Sequence, residues 1–282
     1  RGEILLAACA IHGVQGNAYK GDFKLPKEWL DCDREACMCG GDMQLRKAKT
    51  ESFIKTAKTP PLKDMKLSKD NIEDVQWVGP YDFPKFEEHF VTVSWDMGKS
   101  CNYACSYCPP EVSNKTDALK TWDELKTTTD NIIAQFGEDQ LIKWVVTGGE
   151  PTIIPDYLRW VEYVAEKGHV IHTTTNGSRG GKYLEQLIRH SCIGLSVHLE
   201  FLDLDRLRDT CEKVVRKKLH DRKASNWWFG VRVMVPPGHV EKAEQVKKAI
   251  TEIPFFPDMG HFFVSPIHHY YKDSDGRINF GE

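Results

Sequence analysis

From Phe90 onward, short apolar runs alternate with amphipathic stretches, and this rhythm limits what the chain can fold into more than any other feature. The runs have strand length, and the stretches between them carry apolar residues at helical spacing. Strands are predicted over 90–97, 142–147, 169–174, 193–199, 228–235 and 261–266. Helices are predicted over 117–136, 155–167, 182–190, 203–220 and 239–253, the second closed by Gly168 as its C′ glycine. Strand–helix–strand repeats set consecutive strands parallel, because the helix is the crossover. Six strands with five helices between them suit an α/β fold built as a partial (β/α)6 barrel. In such barrels the side chains that do chemistry gather at the C-terminal ends of the strands.

A chain of 282 residues can bury a barrel core and still carry an appendage. Its 40% hydrophobic and 28% charged residues are ordinary for a soluble globular protein. A net charge of −3 leaves no electrostatic footprint for nucleic acid. No apolar stretch approaches the ~20 residues of a membrane span, so no membrane association is expected. Residues 3–14 are apolar but short, and lack the cationic flank and cleavage site of a signal peptide. Arg1 in place of Met implies a trimmed start or a fragment.

The nine cysteines are the compositional anomaly. They cluster at 32, 37 and 39 and at 101, 105 and 108, which favours metal or cluster ligation in a reducing compartment over disulfides. A cytoplasmic, oxygen-sensitive protein is therefore expected. The expected organisation is a Cys-rich metal or iron–sulfur segment over 1–47, a linker or surface wrap over 48–89, the barrel over 90–267 and a C-terminal extension over 268–282.

Directly after the first predicted barrel strand, Cys101-Asn-Tyr-Ala-Cys105-Ser-Tyr-Cys108 sets three cysteines at C-x3-C-x2-C spacing. Three thiolates on one loop can hold three irons of a [4Fe–4S] cube and leave the fourth open, unlike a closed four-cysteine zinc site. Three unrelated buried cysteines, or a zinc knuckle completed by a distant histidine, are the plainer readings. Further on, Thr147-Gly148-Gly149-Glu150-Pro151 ends the second strand. The two motifs together resemble the radical S-adenosylmethionine (radical SAM) enzyme family over residues 90–267, with its partial TIM-like barrel.

The resemblance implies that Cys101, Cys105 and Cys108 ligate a [4Fe–4S] cluster whose open iron chelates S-adenosylmethionine. It implies one-electron reduction of the sulfonium, and a 5′-deoxyadenosyl radical that abstracts hydrogen from a substrate. The protein supplies orientation while the cofactor carries the chemistry. Tyr107 matches the family's aromatic position beside the adenine. Gly148 and Gly149 would let backbone approach the ligand, and Glu150 would accept hydrogen bonds from the methionine ammonium. An ordinary βα turn with a surface glutamate is the bland alternative. Thr175-Asn176-Gly177 resembles the family's T-N-G element, with Asn176 toward ribose or methionine groups; a simple Asn-Gly turn is its alternative. Ser196, His198 and Glu200 alternate on one face of the fourth strand. Ser196 matches a position near the methionine carboxylate or ribose, while His198 and Glu200 are read as substrate contacts or as a lumen pair without catalytic duty. Arg232 could pair the S-adenosylmethionine carboxylate or face outward. A G-x-I-x-G-x-x-E element found in some relatives is missing.

The segment Asp31–Gly41 holds Cys32, Cys37 and Cys39, and with Cys9 offers four thiolates, enough to close a second cube. Auxiliary [4Fe–4S] clusters of this kind occur in the SPASM or Twitch extensions of radical SAM enzymes that modify peptides and proteins. Those extensions follow the barrel, whereas this segment precedes it, so a permuted order or a shortened C-terminus is implied. A structural zinc site on the same ligands is the alternative, and with either metal His12 could take the place of Cys9. Asp275-Gly276-Arg277-Ile278 reads as a hairpin. Cys211 reads as a core thiol, Cys192 has no assigned role, Trp227-Trp228 read as core or barrel packing, and His268–Tyr271 could line the substrate mouth.

A radical SAM enzyme acting on a peptide or protein side chain is therefore expected, fed by an electron donor such as flavodoxin or ferredoxin. A nucleotide or other small-molecule substrate beside a zinc site is the second reading. A regulatory, non-catalytic cluster-binding module is the third.

Overall fold

The computed structural model describes residues 3–5, 14–24, 90–108, 117–137, 140–267, 270–272 and 278–280. Cys9, His12, Cys32, Cys37, Cys39 and the 48–89 segment lie outside them, as do His268 and His269. The chain divides into two compact units, one of Arg1–Phe90 with Lys126–Leu141 and one of Val91–Leu125 with Ile142–Glu282.

In the first unit β1 (Glu3–Leu5) pairs antiparallel with β2 (Val14–Asn17), Glu3 opposite Asn17. Asn17 then organises a turn, its N–H donating to Asp22 Oδ1 at 2.7 Å and its own Oδ1 accepting from the Lys20 N–H at 3.0 Å. Asn131 anchors that turn by donating to the Ala18 carbonyl at 2.8 Å.

The second unit carries the sheet. Its strands, with their full bounds, are β3 (Phe90–Asp96), β4 (Leu141–Thr147), β5 (Val170–Thr175), β6 (Cys192–His198), β7 (Phe229–Val235) and β8 (His261–Pro266). They lie side by side in chain order, and β4 through β8 pair parallel. An α/β sheet wound in one direction, with a helix in each crossover, is a partial barrel rather than a doubly wound sheet. The helices are α1 (Trp122–Phe136), α2 (Tyr157–Glu166), α3 (Gly181–Leu187), α4 (Leu204–His220), α5 (Arg222–Ser225), α6 (Val240–Thr251) and α7 (Phe256–Met259). A terminal pair, β9 (Tyr270–Lys272) with β10 (Ile278–Phe280), forms the expected hairpin.

The strands alternate, and the alternation separates two faces. Ile142, Trp144, Val146, Ile171, Ile193, Leu195, Phe229, Val231 and Val233 are buried. The intervening Lys143, His172, Ser196, His198 and Arg232 are only half-buried on the opposite, concave side. Trp95, Trp144 and Trp160 pack tilted or edge-to-face in the core, with ring centroids 5.4–6.0 Å apart. A hydroxyl chain satisfies the buried polar groups beside them: Tyr157 Oη to Thr173 Oγ1 and Thr173 Oγ1 to Ser191 Oγ, both 2.8 Å.

Three sequence expectations shift. Helix α1 begins at Trp122, not at 117, because Thr121 and Glu124 form a capping box: the Thr121 N–H donates to Glu124 Oε2 at 2.8 Å and the Glu124 N–H to Thr121 Oγ1 at 3.3 Å. Helices α5 and α7 were not expected, since four residues are too few to show a period. Of the two packing readings for Trp228, barrel packing is the one seen: it precedes β7 and is half-buried against the rings of His172, His261 and Phe263. Cys211 is fully buried on α4. Among the described residues, no helix is long and apolar enough to cross a membrane.

Candidate active site

The loop carrying the three cysteines leaves the C-terminal end of β3 and is laced to the end of β4 by backbone alone. The Met97 N–H donates to the Thr147 carbonyl at 3.1 Å, Gly149 to Gly98 at 2.7 Å and Glu150 to Ser100 at 2.9 Å. This lacing explains the glycine pair. Gly148 has φ +123°, and a Cβ on Gly149 would stand 2.1 Å from the Ser100 carbonyl oxygen. The close approach that the sequence suggested for a ligand is made here by the Lys99–Ser100 backbone.

Glu150 turns inward. It is 2% exposed. Its Oε1 accepts from the Thr152 N–H at 3.0 Å, the Thr152 hydroxyl at 2.5 Å and the Thr175 hydroxyl at 2.7 Å. Its Oε2 accepts from the Asn176 N–H at 2.6 Å, so the carboxylate ties the end of β4 to the end of β5. Burial pushes its carboxyl above the usual range, and the hydrogen bonds from Asn176, Thr152 and Thr175 pull against that rise. With one acceptor bond formed, Oε2 keeps capacity for a further donor.

Thr175-Asn176-Gly177 does more than turn the chain. Thr175 Oγ1 accepts from the Gly177 N–H at 3.1 Å while donating to Glu150. Asn176 Nδ2 reaches Asn102 Oδ1 at 3.0 Å and lies 3.9 Å from Cys101 Sγ. The third strand end therefore meets the cysteine loop directly.

The fourth strand end meets it from the other side. His198 Nδ1 lies 2.7 Å from Tyr107 Oη and 3.3 Å from Cys105 Sγ. The Tyr107 and His198 rings are nearly parallel, 13° apart with centroids 6.0 Å apart. Glu200 accepts from the Ser106 N–H at 2.8 Å and from the Ser106 hydroxyl. Tyr103 stacks on Phe201 at 4.4 Å. His198 and Glu200, read from the sequence as substrate contacts or an idle lumen pair, hold the cysteine loop. Ser106, Tyr103 and Phe201 were missed, because nothing local marks a partner on another strand end.

Ser196 faces the concave side, in register with Arg232 on β7. Arg232 sits below the rim, its guanidinium carbon 5.9 Å from the centre of the Phe263 ring. Lys143 and His172 on the same face were also missed; the available signal was a basic side chain at an inward position of an apolar strand.

The donor set suits an iron–sulfur cube. Cys101, Cys105 and Cys108 are half-buried thiols on one loop, outside any disulfide, and Cys101 and Cys108 both act electrostatically on Cys105. Among the described residues no three His, Cys, Asp or Glu side chains converge on a single-ion site. A cube takes each thiolate on a separate iron, so the thiols need not meet at a point. Burial, more than its negative neighbours, pushes the Cys105 thiol up to about 11, so loading a cluster would release its proton.

A partial α/β barrel with a three-thiol loop at the C-terminal rim, clamped by a Gly-Gly-Glu turn, defines a cluster-binding barrel class. The family model described as the radical SAM superfamily matches residues 95–250, more than half of the chain. The chain belongs to the radical SAM superfamily. Members of this superfamily use a [4Fe–4S] cluster and S-adenosylmethionine. The chain is 26% identical over 125 residues to GTP 3′,8-cyclase of Vibrio parahaemolyticus, covering 42% of this chain and 36% of that one. It is 29% identical over 124 residues to GTP 3′,8-cyclase of Pasteurella multocida, covering 42% and 35%. The matched stretch thus spans about a third of those relatives' length. Among solved structures, Streptococcus suis SuiB bound to precursor peptide SuiA is similar with a TM-score of 0.47 at 16% identity, over 63% of this chain and 39% of that one.

Proposed function

We propose that this chain cleaves S-adenosylmethionine reductively and uses the resulting radical to take a hydrogen atom from a substrate held on the concave face of the barrel. The observation that carries this reading is the loop of Cys101, Cys105 and Cys108, clasped from three strand ends at the C-terminal rim. When bound, the cluster would supply the one electron that reductive cleavage of the sulfonium, toward methionine and 5′-deoxyadenosine, requires. That electron comes from outside the chain, from a donor of the flavodoxin or ferredoxin kind. The three cysteines would hold the cluster. Glu150 Oε2 and the Asn176 side chain would orient S-adenosylmethionine, with Ser196 below. Tyr107, locked on His198, would wall the adenine side.

Two substrate readings stand beside each other. A peptide or protein side chain rests on Cys9, Cys32, Cys37 and Cys39 as an auxiliary cluster over 1–47, with zinc as the alternative there. A small anionic molecule is supported by the basic and aromatic concave face and agrees with the relatives named for GTP. The concave face favours the small molecule. A reducing compartment such as the cytoplasm fits the free thiols. The test is anaerobic: the reconstituted, dithionite-reduced chain should convert S-adenosylmethionine to methionine and 5′-deoxyadenosine. No cleavage from a fully loaded, reduced protein would favour a regulatory cluster-binding module. Iron and sulfide at about eight per chain would support an auxiliary cube, and about four with one zinc would support the zinc alternative.

A further inference from the structure

We propose that the concave floor formed by His172, Trp228, His261 and Phe263, with Lys143 and Arg232, is a nucleotide-reading surface: the rings take the planar base and the two cations take phosphate. This deepens the proposed function by naming a substrate class for the same barrel.

Four rings meet below the rim, tilted or nearly parallel to one another. Trp228 is the hub, its ring centroid 5.2 Å from that of His172, 5.8 Å from His261 at an interplanar angle of 15°, and 6.0 Å from Phe263. Two glycines make room for them. A Cβ on Gly194 would lie 3.2 Å from His172 Nε2, and one on Gly230 would lie 2.1 Å from Trp228 Cη2. Neither glycine has positive φ, so the backbone does not demand glycine there; the empty space does. The glycines are neighbours across β6 and β7, and Gly230 is in turn opposite His261 on β8. Small residues on adjacent strands thus let flat side chains lie across the sheet instead of standing up from it.

The charges match a phosphate. Lys143 and Arg232 both act on His172, and the two charged groups that shift it are cations. Burial first, then these cations, holds His172 down to about 4, so it is neutral at physiological pH and offers one donor and one acceptor to a base edge. Burial also lowers Lys143, and an arriving anion would offset that cost. Arg232 lies over the Phe263 ring at 5.9 Å, which orients the guanidinium beside the ring platform. Base stacking on aromatic rings and phosphate pairing with Arg or Lys are the two general ways proteins hold nucleotides. His172 is three residues below Thr175 on β5, roughly 10 Å from the rim at the rise of a strand.

Binding of GTP, ATP, CTP and UTP, and of guanosine as the uncharged control, should be measured by anaerobic calorimetry on the full reconstituted chain. At least one nucleotide should bind more tightly than guanosine. Arg232→Gln and Lys143→Gln should each weaken that nucleotide about tenfold, the scale of a lost charge-assisted hydrogen bond, and change guanosine less than about twofold. Trp228→Leu should weaken both. No nucleotide binding, equal affinity for guanosine, or native nucleotide affinity in both charge variants overturns the inference. Release of 5′-deoxyadenosine from S-adenosylmethionine is followed in parallel. Release without nucleotide binding sinks this inference and leaves the radical reading; binding without release does the reverse.

Discussion

The rim and the floor of the barrel are held together by opposite means. At the rim, polar side chains reach across strand ends: Glu150 gathers Thr152, Thr175 and Asn176, and Glu200 grips Ser106. On the floor, rings pack in the space left by Gly194 and Gly230, with Lys143 and Arg232 acting on His172. A polar rim has fixed geometry, because each donor has a single acceptor to serve and a misplaced partner is costly to leave unmade. A ring platform is tolerant, since stacking falls off gently with sliding and tilt. The difference suits a division of labour in which the rim holds the shared cofactor in one pose and the floor accommodates what this chain in particular acts on.

If the two regions are separable, Cys105→Ala gives the largest effect and confines it to the rim. Cleavage of S-adenosylmethionine should fall to background while the chain stays folded and the floor's nucleotide affinity is unchanged. Retained cleavage would remove Cys105 from the cluster. Loss of nucleotide binding as well would erase the distinction between rim and floor. Next comes Glu150→Ala, which strands three buried donors and one half-buried one and should cost about 3 kcal/mol of unfolding free energy by urea denaturation. A loss below ~1 kcal/mol would mean that water or a neighbour replaces the carboxylate, and that the rim is less exacting than its hydrogen bonds imply.

Much of the rim was legible because its parts are short and local. Three cysteines on one loop and Thr147-Gly148-Gly149-Glu150-Pro151 after a strand are readable as spacing, and strand alternation placed both at the C-terminal edge. What the parts touch was not legible. Gly149 is glycine because of the Ser100 carbonyl, and Glu200 matters because of Ser106; both pairs are far apart in the chain and come together only when the strands align. The floor had even less to show. Trp228 read as packing, but which rings it meets is decided by Gly230 on β7 and by His261 and Phe263 on β8. Trp227 beside it takes a different course, its indole N–H donating to the Arg189 carbonyl at 2.9 Å. Adjacent and chemically identical residues thus serve different sides, which no local pattern could separate.

The floor can also be probed by pH. The His172 imidazole titrates at about 4 instead of 6.5 because burial and the cations Lys143 and Arg232 oppose its charge. Between those values the unfolded chain binds a proton that the folded chain refuses, so this group's contribution to stability falls as pH drops from 6.5 toward 4. His172→Gln should flatten that part of the stability–pH curve. Lys143→Gln should raise the His172 pKa, read by NMR on the imidazole C–H. An unchanged pKa would take Lys143 out of the floor's field.

The gentlest effect belongs to Glu200, and it separates holding the cysteine loop from holding the fold. This carboxylate is exposed, so its bonds to Ser106 compete with water and should add less than ~1 kcal/mol to global stability. The side-chain and backbone hydrogen bonds from Ser106 keep its carboxyl below the usual carboxylate range. A carboxyl lowered in the folded state contributes stability above its unfolded pKa and loses it as pH falls through the lowered value. Whatever Glu200 contributes should therefore be intact at neutral pH and fade in acid. Its consequence is local: Ser106 lies between Cys105 and Tyr107, so freeing it loosens one thiol of the cysteine loop and the tyrosine on His198 together. Glu200→Gln should leave the urea midpoint nearly unchanged, yet let a chelator strip iron several-fold faster from the loaded chain at neutral pH. Ser106→Ala, which keeps the backbone N–H bond to Glu200, should give a smaller acceleration, and the double variant should not exceed Glu200→Gln, because the Ser106 hydroxyl acts only through Glu200. Additive acceleration in the double variant would mean that Glu200 and Ser106 act on the loop through separate contacts, and the rim would then be a set of independent ties instead of a shared clamp.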